Sequence, residues 1–394
     1  MAERDIFLAA LIKKGFDETN VKIDTMAGIA TGGDVSWGIL KKLIAAGSAK
    51  ALYPVGTQFI VPHSVYGDLL FDVVAHNVHK KPGDSDAPTM TLLMHNVIYG
   101  RPFDGAEAVY CVTAENYEDG LPAGTYHFLI PSAYTSDDLD GWTTGIQFTT
   151  TETVPVGGQI VIVGWESGKI SAKKISTFAD GSATTPIESN IVMSDGDGGT
   201  ELGTILYNTQ SANGYMNHMH RLRYGNNNWS ESNIRQWLNS DAASGWYTPK
   251  TPFDRLSSSY ASLAGFMNGL DPEFAAVLGP VAVTTRKNNV FENDSDYGNK
   301  TYTTTDKIFL LSNDEVGFSV EGVAQGSVLD FYDGAANADR IKYDYTNPAT
   351  ARYWWLRSPY PSYASVARLV GTSGAQSSTN AYSGSGAAAA CVIY

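Results

Sequence analysis

The last part of the chain constrains its fold more than any other segment. The block YWWLRSP at 353–359 is aromatic and stiff, and the run that follows, 360–386, consists mainly of Ser, Ala, Gly, Tyr, Thr and Asn. The chain then closes on the apolar stretch 391–394. Recognition loops have this composition, because Tyr offers a large rigid contact area while Ser, Gly and Asn offer adaptable hydrogen bonds. The pattern predicts a rigid scaffold that presents a changeable surface.

Charge limits the partners that such a surface could have. The chain has 394 residues, which suggests two or three domains. Only 17% of the residues are charged and 39 are Gly, which indicates many turns and short strands. The net charge of −14 argues against binding to nucleic acid or to an anionic membrane. Between 353 and 394 the only charged side chains are Arg357 and Arg368, so negative charge does not steer this end to its partner.

Cysteine usage and the beginning of the chain bear on location. Cys111 and Cys391 are the only cysteines, which excludes a disulfide framework and leaves room for a single bridge at most. The first 15 residues lack the basic-then-apolar order of a secretory signal. No segment reaches the roughly 20 apolar residues that span a bilayer. We therefore expect synthesis in the cytoplasm without a signal peptide.

The first half of the chain divides into a helical region and several strands. Residues 1–48 contain helical patterns at 5–12 and 35–44, and they fit either an N-terminal helical cap or an arm for attachment or oligomerisation. Short β-rich segments follow at 57–61, 69–75 and 89–94.

Residues 110–199 have the pattern of an inserted β module. Strand-like segments at 124–130, 146–153 and 159–165 suggest a small antiparallel sandwich or barrel. Carboxylates at its end could hold calcium, but the spacing of a helix–loop–helix calcium site is absent, so a solvated turn is the favoured interpretation. These carboxylates are Asp195, Asp197 and Glu201.

The second half contains two short helices and a buried strand. Residues 229–239 are helical in pattern, with Ser230 as the expected N-cap. A second helix follows Asp271, which is placed to cap it, with Pro272 in the first turn. The segment 307–312 is typical of a buried strand.

No constellation of residues predicts catalysis. His218 and His220 would share one face of a strand, which suits a metal, but the spacing suggests no third ligand and a hydrogen-bonded pair is favoured. Nucleophile-elbow and phosphate-loop motifs are absent from the sequence. Trp354 and Trp355 fit either a sugar-stacking platform or a core pair, and Arg357 fits a structural role beside a carboxylate or backbone carbonyls.

Three blocks of sequence resemble a C-type-lectin-like domain of the branch related to the formylglycine-generating enzyme, which is common in gut bacteria and their phages. The blocks are 229–239, 306–316 and 354–359. The resemblance is weak over 50–110 and better over 200–394. The expected fold class is α+β: a C-type-lectin-like C-terminal domain with an inserted antiparallel β module and an N-terminal helical region. The expected domains are 1–48 for attachment, 49–109 for the first part of the lectin-like domain, 110–199 for the insert and 200–394 for ligand binding.

The end of the chain also resembles the variable region of a diversity-generating retroelement target, which implies diversified positions within about 360–386. Adenine-specific change of Asn codons cannot produce Lys, Glu, Gln, Met or Trp, and Gln376 is the only such residue in this run, so it would be fixed. The positions expected to vary and bind ligand are Tyr360, Tyr363, Ser365, Ala367, Leu369, Gly371, Ser377, Ser378, Thr379, Asn380, Tyr382, Ser383 and Ser385. The positions expected to form scaffold are Trp229, Trp237, Trp354, Trp355, Arg357, Val366, Arg368, Val370, Gly374 and Ala381.

The resemblance implies a receptor-binding protein of a phage or prophage, carried on the virion tail, that recognises a protein or glycan on a bacterial surface. It implies contacts with other virion proteins and a homo-oligomer, such as a trimer. It does not imply the enzymatic activity of formylglycine-generating enzymes, because that chemistry needs cysteines or copper held by cysteines. No cofactor, metal, nucleic acid or membrane partner is expected. A metal-dependent enzyme on the same fold and a fixed structural virion protein are the alternatives.

Overall fold

Strands dominate the structure of this protein. A computed structural model describes residues 36–108, 110–129, 145–162, 170–175, 186–196, 198–204, 221, 224–250, 254–287, 300–361 and 363–394. Strands account for 37% of the residues and helices for 14%. The expected α+β class with a helical N-terminal region is therefore wrong, and the fold is sheet-rich. The physical reason is that glycine turns divide the chain into segments too short for long helices. Residues 1–35, which hold the first predicted helix, lie outside the described residues.

The helices that the structure describes are short. They are α1 (Trp37–Ala45), α2 (Ala49–Leu52), α3 (Asn233–Leu238) and α4 (Pro272–Val277). The predicted cap of α4 is confirmed, because the Asp271 carboxylate accepts a hydrogen bond from the Phe274 N–H. The predicted cap of α3 is wrong. Ser232, not Ser230, accepts a hydrogen bond from the Arg235 N–H, and the helix begins at Asn233. None of the described helices has the length and apolar character to cross a membrane.

The first sheet joins the two ends of the described chain. Its strands, in spatial order, are β1 (Gln58–His63), β2 (Gly67–His76), β3 (Met90–Met94), β21 (Ala390–Ile393) and β14 (Ile308–Phe309). All four pairings are antiparallel. β3 is buried along its whole length, and so is β21. Helix α1 buries Trp37, Leu40, Leu43 and Ile44 in the same core.

The second sheet contains the YWWLRSP block and the run after it. Its spatial order is β19 (Gln376–Asn380), β18 (Val366–Val370), β17 (Trp354–Pro359), β20 (Gly384–Ala387) and β4 (Ile98–Pro102). β17 pairs antiparallel with β18 and parallel with β20. β19 is therefore an edge strand, while β17 lies at the centre with all six residues buried.

A third, seven-stranded sheet lies between β4 and Arg221 in sequence. Its spatial order is β11 (Thr200–Thr204), β6 (Gly124–Leu129), β7 (Gly145–Thr150), β10 (Pro186–Asp195), β9 (Ile170–Ile175), β8 (Gln159–Ile162) and β5 (Tyr110–Cys111). β11 pairs parallel with β6 and the other pairings are antiparallel. The inserted module is thus one mixed sheet, and the expectation of purely antiparallel pairing is wrong at β11.

Two small ribbons complete the described strands. One pairs β12 (Val281–Arg286) with β13 (Thr301–Asp306), and the other pairs β15 (Lys342–Asp344) with β16 (Asn347–Arg352). The segment 310–332 has no regular strand, but Leu310, Leu311, Val316 and Leu329 within it are fully buried. Side chains from both ends of the described chain, from Trp37 to Ile393, therefore share one hydrophobic core.

Candidate functional site

The tryptophans of the YWWLRSP block are interior residues. Trp354 and Trp355 have no exposed surface. The indole N–H of Trp354 donates to the Arg340 carbonyl at 3.0 Å, and that of Trp355 donates to the Arg101 carbonyl at 2.7 Å. Since neither ring has a free face, the sugar-stacking interpretation is wrong for this pair and the core interpretation holds. Trp229 and Trp237, also expected as scaffold, are equally buried.

Arg357 fixes the centre of the frame. Its guanidinium is 1% exposed and forms two hydrogen bonds with the Glu315 carboxylate, of 2.6 and 2.8 Å. It also donates to the carbonyls of Thr284, Leu310 and Gln325. Burial raises the pKa of Glu315, but Arg357 and His79 reverse that effect and hold the pKa at about 2. The Glu315 carboxylate is therefore ionised at neutral pH, and its pairing with Arg357 ties β12, β17 and the irregular segment 310–332 together.

Ion pairs also connect the three sequence blocks that carry the resemblance. In the first block, Arg235 on α3 pairs with Asp306 at 2.8 Å, and Asp306 also accepts from the Trp229 indole at 3.1 Å. Asp306 begins the second block, which contains Glu315, the partner of Arg357 in the third. The blocks are distant in sequence but form one framework.

Four tyrosines lie on the surface above this framework. Tyr363 and Tyr382 are 41% and 48% exposed. Tyr363 packs beside Tyr360 with 5.6 Å between ring centroids, and Tyr382 packs beside Tyr224 with 5.7 Å. We call these four residues, with the small polar side chains of Ser378, Asn380 and Ser383, the tyrosine surface.

The structure divides the thirteen predicted ligand-binding positions into two groups. Partly or largely exposed are Tyr360, Tyr363, Ser377, Ser378, Thr379, Asn380, Tyr382 and Ser383. Buried, and so not open to a ligand at this surface, are Ser365, Ala367, Leu369, Gly371 and Ser385. On β18 the alternation has the opposite phase: the predicted scaffold residues Val366 and Arg368 are partly exposed, whereas Ala367 and Leu369 belong to the core.

Backbone hydrogen bonds hold the loops of the tyrosine surface. The Asn227 side-chain amide donates to the carbonyls of Tyr363 and Val366, at 2.6 and 2.7 Å. The Ala381 N–H donates to the Ser365 carbonyl at 2.7 Å, so the two tyrosine loops are joined to each other. The Tyr382 N–H donates to the Tyr224 carbonyl at 2.8 Å. The side chains above can therefore change without removing the bonds that set the backbone.

Polar residues support one side of the tyrosine surface. The Arg368 guanidinium lies over the Tyr360 ring, 4.3 Å from its centroid, and forms an ion pair with Glu321. The Gln376 side chain donates to the Asn313 side chain at 2.8 Å. Arg368, a cation beside the tyrosines, is therefore neutralised by Glu321, and the described side chains of the tyrosine surface are aromatic or uncharged and polar.

An acidic cluster that was not predicted from the sequence lies next to the same loops. Asp104 accepts hydrogen bonds from Asn233, and Glu107 forms an ion pair with Arg221. Burial raises the pKa of Glu107 to about 7, with Arg221 opposing the rise, and burial raises the pKa of Asp104 well above its usual range. The Asn226 N–H bonds to Asp104, which connects this cluster to the segment that supports Tyr224.

Tyr224 and Asn227 are functional candidates that sequence reasoning missed. The available signal was the run Asn226–Asn228 before Trp229, because Asn side chains readily bond to nearby backbone groups. The run was not informative about its partners, since Tyr363 lies 136 residues further along the chain.

The residues that were considered and not favoured as metal ligands lie mostly outside the described part of the structure. His218, His220 and Asp197 lie outside the described residues, and the side chains of Asp195 and its strand are not described. Within the described part of the chain, no group of three His, Cys, Asp or Glu side chains is placed to hold a metal ion. Cys111 and Cys391 are free thiols.

Comparison with known proteins gives one match. The model of a family described as a domain of unknown function (DUF6273) matches residues 203–393, a stretch that includes the three sequence blocks and the whole tyrosine surface. No curated protein and no solved structure matches the chain. The similarity therefore covers the framework and its surface together, and the family's description carries no activity.

Proposed function

We propose that this protein is a variable ligand-binding protein of a phage or prophage, diversified by a retroelement, that recognises a protein or glycan on a bacterial surface. The observation that carries the proposal is the tyrosine surface: exposed Tyr and partly exposed Ser and Asn side chains stand on a backbone that hydrogen bonds hold in place. In this proposal the surface binds and does not catalyse, and the protein acts on the virion tail.

Rigid presentation is what makes such a surface useful for binding. Association loses about 0.5–1.5 kcal/mol for each flexible side chain that it immobilises, and ordering a loop adds to this cost. Tyr363 and Tyr382 have few rotatable bonds, and their loops are already ordered by bonds to Asn227 and Tyr224. More of the contact energy then remains as affinity.

The resemblance and the composition support the retroelement part of the proposal. The three lectin-like blocks form the framework under the surface, and the eight exposed predicted positions are Tyr, Ser, Thr or Asn, all products of a randomised Asn codon. The structure narrows the expectation, because substitutions at the buried positions Ala367 and Leu369 would disturb the core.

The test of binding uses fluorescently labelled full-length protein and a panel of intact bacterial strains. Tyr363→Ala and Tyr382→Ala should each weaken saturable binding to a responsive strain by about tenfold or more, since anchoring tyrosines contribute 2 kcal/mol or more at interfaces. Their melting temperatures should stay near that of the parent, because exposed substitutions cost little stability. Tyr343→Ala is the matched control: its side chain is 37% exposed but lies on the β15–β16 ribbon. Equal losses in all three variants, or unfolding of the two loop variants, would contradict the proposal.

Sequencing tests the source of the diversity independently. Several copies of the gene should differ at adenine-derived positions confined to about 360–386, with changes concentrated at the exposed positions and few at the buried ones. An invariant 3′ end would instead support a fixed structural virion protein.

A further inference from the structure

The first and second sheets have four edge strands, β1, β14, β4 and β19, and described residues cover or blunt the first three. The Asp271 N–H donates to the Pro62 carbonyl at 2.9 Å, so the segment before α4 closes the outer side of β1. The Asn239 side-chain amide donates to the Ile308 carbonyl at 2.6 Å, which closes the outer side of β14. These contacts follow the general rule that proteins hide or blunt exposed strand edges.

The edge of the second sheet at β4 is also blunted. Gly100 there has a φ of 78°, and Pro102 lacks a backbone N–H. The Tyr260 hydroxyl donates to the Pro102 carbonyl at 2.6 Å. An irregular backbone, a proline and a covering side chain are the usual devices against pairing with another chain.

β19, at the other edge of the same sheet, has none of these devices within the described part of the chain. Its sequence, QSSTN, contains no proline, glycine or charge. Its register with β18 runs without a bulge over all five residues. It carries Ser378 and Asn380, so this open edge borders the tyrosine surface.

The hydrogen-bond phase of β19 follows from the two bonds that flank it. The Gly371 N–H donates to the Ala375 carbonyl at 2.8 Å, and the Ala381 N–H donates to the Ser365 carbonyl at 2.7 Å. Both pairs continue the register of β18 and β19. Because bonded residues alternate along an antiparallel pair, the odd-numbered residues of β19 bond to β18.

The even-numbered residues of β19 therefore direct their backbone groups away from the sheet. These are Gln376, Ser378 and Asn380. The Asn380 carbonyl accepts from the Ser383 N–H at 3.0 Å. Among the described residues, the backbone groups of Gln376 and Ser378 and the Asn380 N–H have no partner beyond the strand. Alternate residues lie roughly 6.6–6.8 Å apart, the repeat of an extended strand.

We propose that β19 binds its ligand by strand addition, so that an extended peptide segment of the partner protein pairs with Gln376, Ser378 and Asn380. This inference rests on the proposed function and names the class of partner as a polypeptide. Main-chain bonds supply affinity that does not depend on side-chain identity, while neighbouring side chains select the sequence. Diversification beside β19 would then change specificity and leave the strand pairing intact.

A second copy of this chain is a less suitable occupant than another protein. The net charge of −14 makes two copies repel each other. β19 itself is uncharged, and Arg368 on the adjacent strand is neutralised by Glu321, so a neutral or basic peptide meets no opposing charge at the edge.

The test begins with decapeptides selected from a displayed random library on the full-length protein and then made synthetically. Ser378→Pro removes an outward N–H and places a ring on the open edge, while the bonds to β18 remain because they come from odd-numbered residues. Ser378→Ala is the matched control, since it keeps the backbone N–H. We expect Ser378→Pro to weaken peptide binding at least tenfold, and Ser378→Ala, which removes a surface hydroxyl but no backbone donor, to weaken it several-fold less than Ser378→Pro does.

N-methylated peptides make the test independent of the folding of the proline variant. Methyl groups on alternate peptide amides should abolish binding in one phase and leave it intact in the other, as strand pairing requires. Equal effects of the two phases, equal effects of Ser378→Pro and Ser378→Ala, or the absence of any selected peptide would overturn strand addition. So would a dimer of the parent protein that Ser378→Pro converts to monomer. If Tyr363→Ala abolished cell binding while Ser378→Pro changed neither peptide binding nor cell binding, strand addition would be refuted and the proposed function would still be supported.

Discussion

Replacement of Arg357 by Met gives a strong test of how the recognition surface is supported. Met approximates the length of the arginine stem but carries no charge and no donor. In the parent protein the Arg357 guanidinium bonds to Glu315 and to the carbonyls of Thr284, Leu310 and Gln325. The variant leaves Glu315 inside the core with His79, at 3.2 Å, as its remaining charged or polar side-chain partner among the described residues.

The expected cost follows from the burial of both partners. Arg357 is 1% and Glu315 3% exposed. Removal of one member of a buried ion pair costs about 3–5 kcal/mol, since the other charge stays buried without compensation. A domain is stable by about 5–15 kcal/mol in total, so the variant should lose a large part of its stability. Arg357→Lys should recover only a fraction, because a single ammonium group cannot replace a fork that reaches four partners.

The same variant also gives a prediction for the direction in which the free energy of unfolding changes with pH. In the parent, the pKa of Glu315 falls from its ordinary 4.5 to about 2, so its contribution of about 3 kcal/mol is present above pH 4.5 and is lost as pH falls toward 2. Without Arg357, burial dominates and raises the pKa of Glu315. Acid then stabilises the variant, and the difference from the parent should narrow as pH falls from 7 to 4.

Urea unfolding, followed by tryptophan fluorescence and by circular dichroism at pH 7, 6, 5 and 4, measures both quantities. Glu315→Gln in the Arg357→Met background should restore part of the lost stability, because it removes the uncompensated charge. A loss below about 1 kcal/mol at pH 7, or a loss that does not vary with pH, would refute the assignment of Arg357 as the buried centre of the frame.

Two further predictions concern titratable groups elsewhere in the core. The pKa of Glu107 is raised to about 7, so the folded state binds the extra proton and the protein should gain up to about 3 kcal/mol as pH falls from 8 to 5; urea unfolding of Glu107→Gln should show a flatter profile. Burial raises the pKa of the Cys391 thiol, which is 1% exposed, so a thiol reagent at pH 8 should modify no more than one cysteine in the native protein, Cys111, and two in denaturant. Two rapidly reacting native thiols would contradict the central position of β21.

The framework of the three sequence blocks was more predictable from sequence than the tyrosine surface. A bulky block with one arginine, such as 353–359, has few environments in which it is stable, and an Arg inside an aromatic strand needs a buried carboxylate. Asp271 before Pro272 likewise identified its helix start, because both residues fit the first turn for local reasons. Such signals survive because the physical constraint acts on neighbouring residues.

The phase of β18 could not be read in the same way. Its sequence, VARLV, is apolar at four of five positions, so a period of two does not distinguish the inner face from the outer one. The deciding contacts come from elsewhere: Arg368 pairs with Glu321, 47 residues earlier, on the side opposite Ala367 and Leu369. Small residues add to the ambiguity, because Ala, Ser and Gly fit a core and a surface equally well.

The predicted fold class, α+β, was wrong for a related reason. The helical pattern at 35–44 does form a helix, but α1 is only nine residues long and packs against α4 within a sheet-rich fold. An amphipathic segment indicates one buried face, but it does not indicate what covers that face.

The small residues that follow β17 have two separate causes, and the distinction limits where diversity can act. After β19 the chain returns to the interior: β20 inserts between β17 and β4, and β21 inserts between β3 and β14. A Cβ on Gly386 would lie 2.6 Å from a Val97 methyl and 2.8 Å from the Tyr353 carbonyl, so packing, not a codon set, requires glycine there. The alanines at 387–390 are buried for the same reason. In sequence, β19 therefore stands between two of the most buried parts of the described chain, β17 before it and β20–β21 after it. Substitutions on β19 and the tyrosine loops leave both anchors unchanged, which is what the proposed function requires of a fold that carries different ligand-binding surfaces.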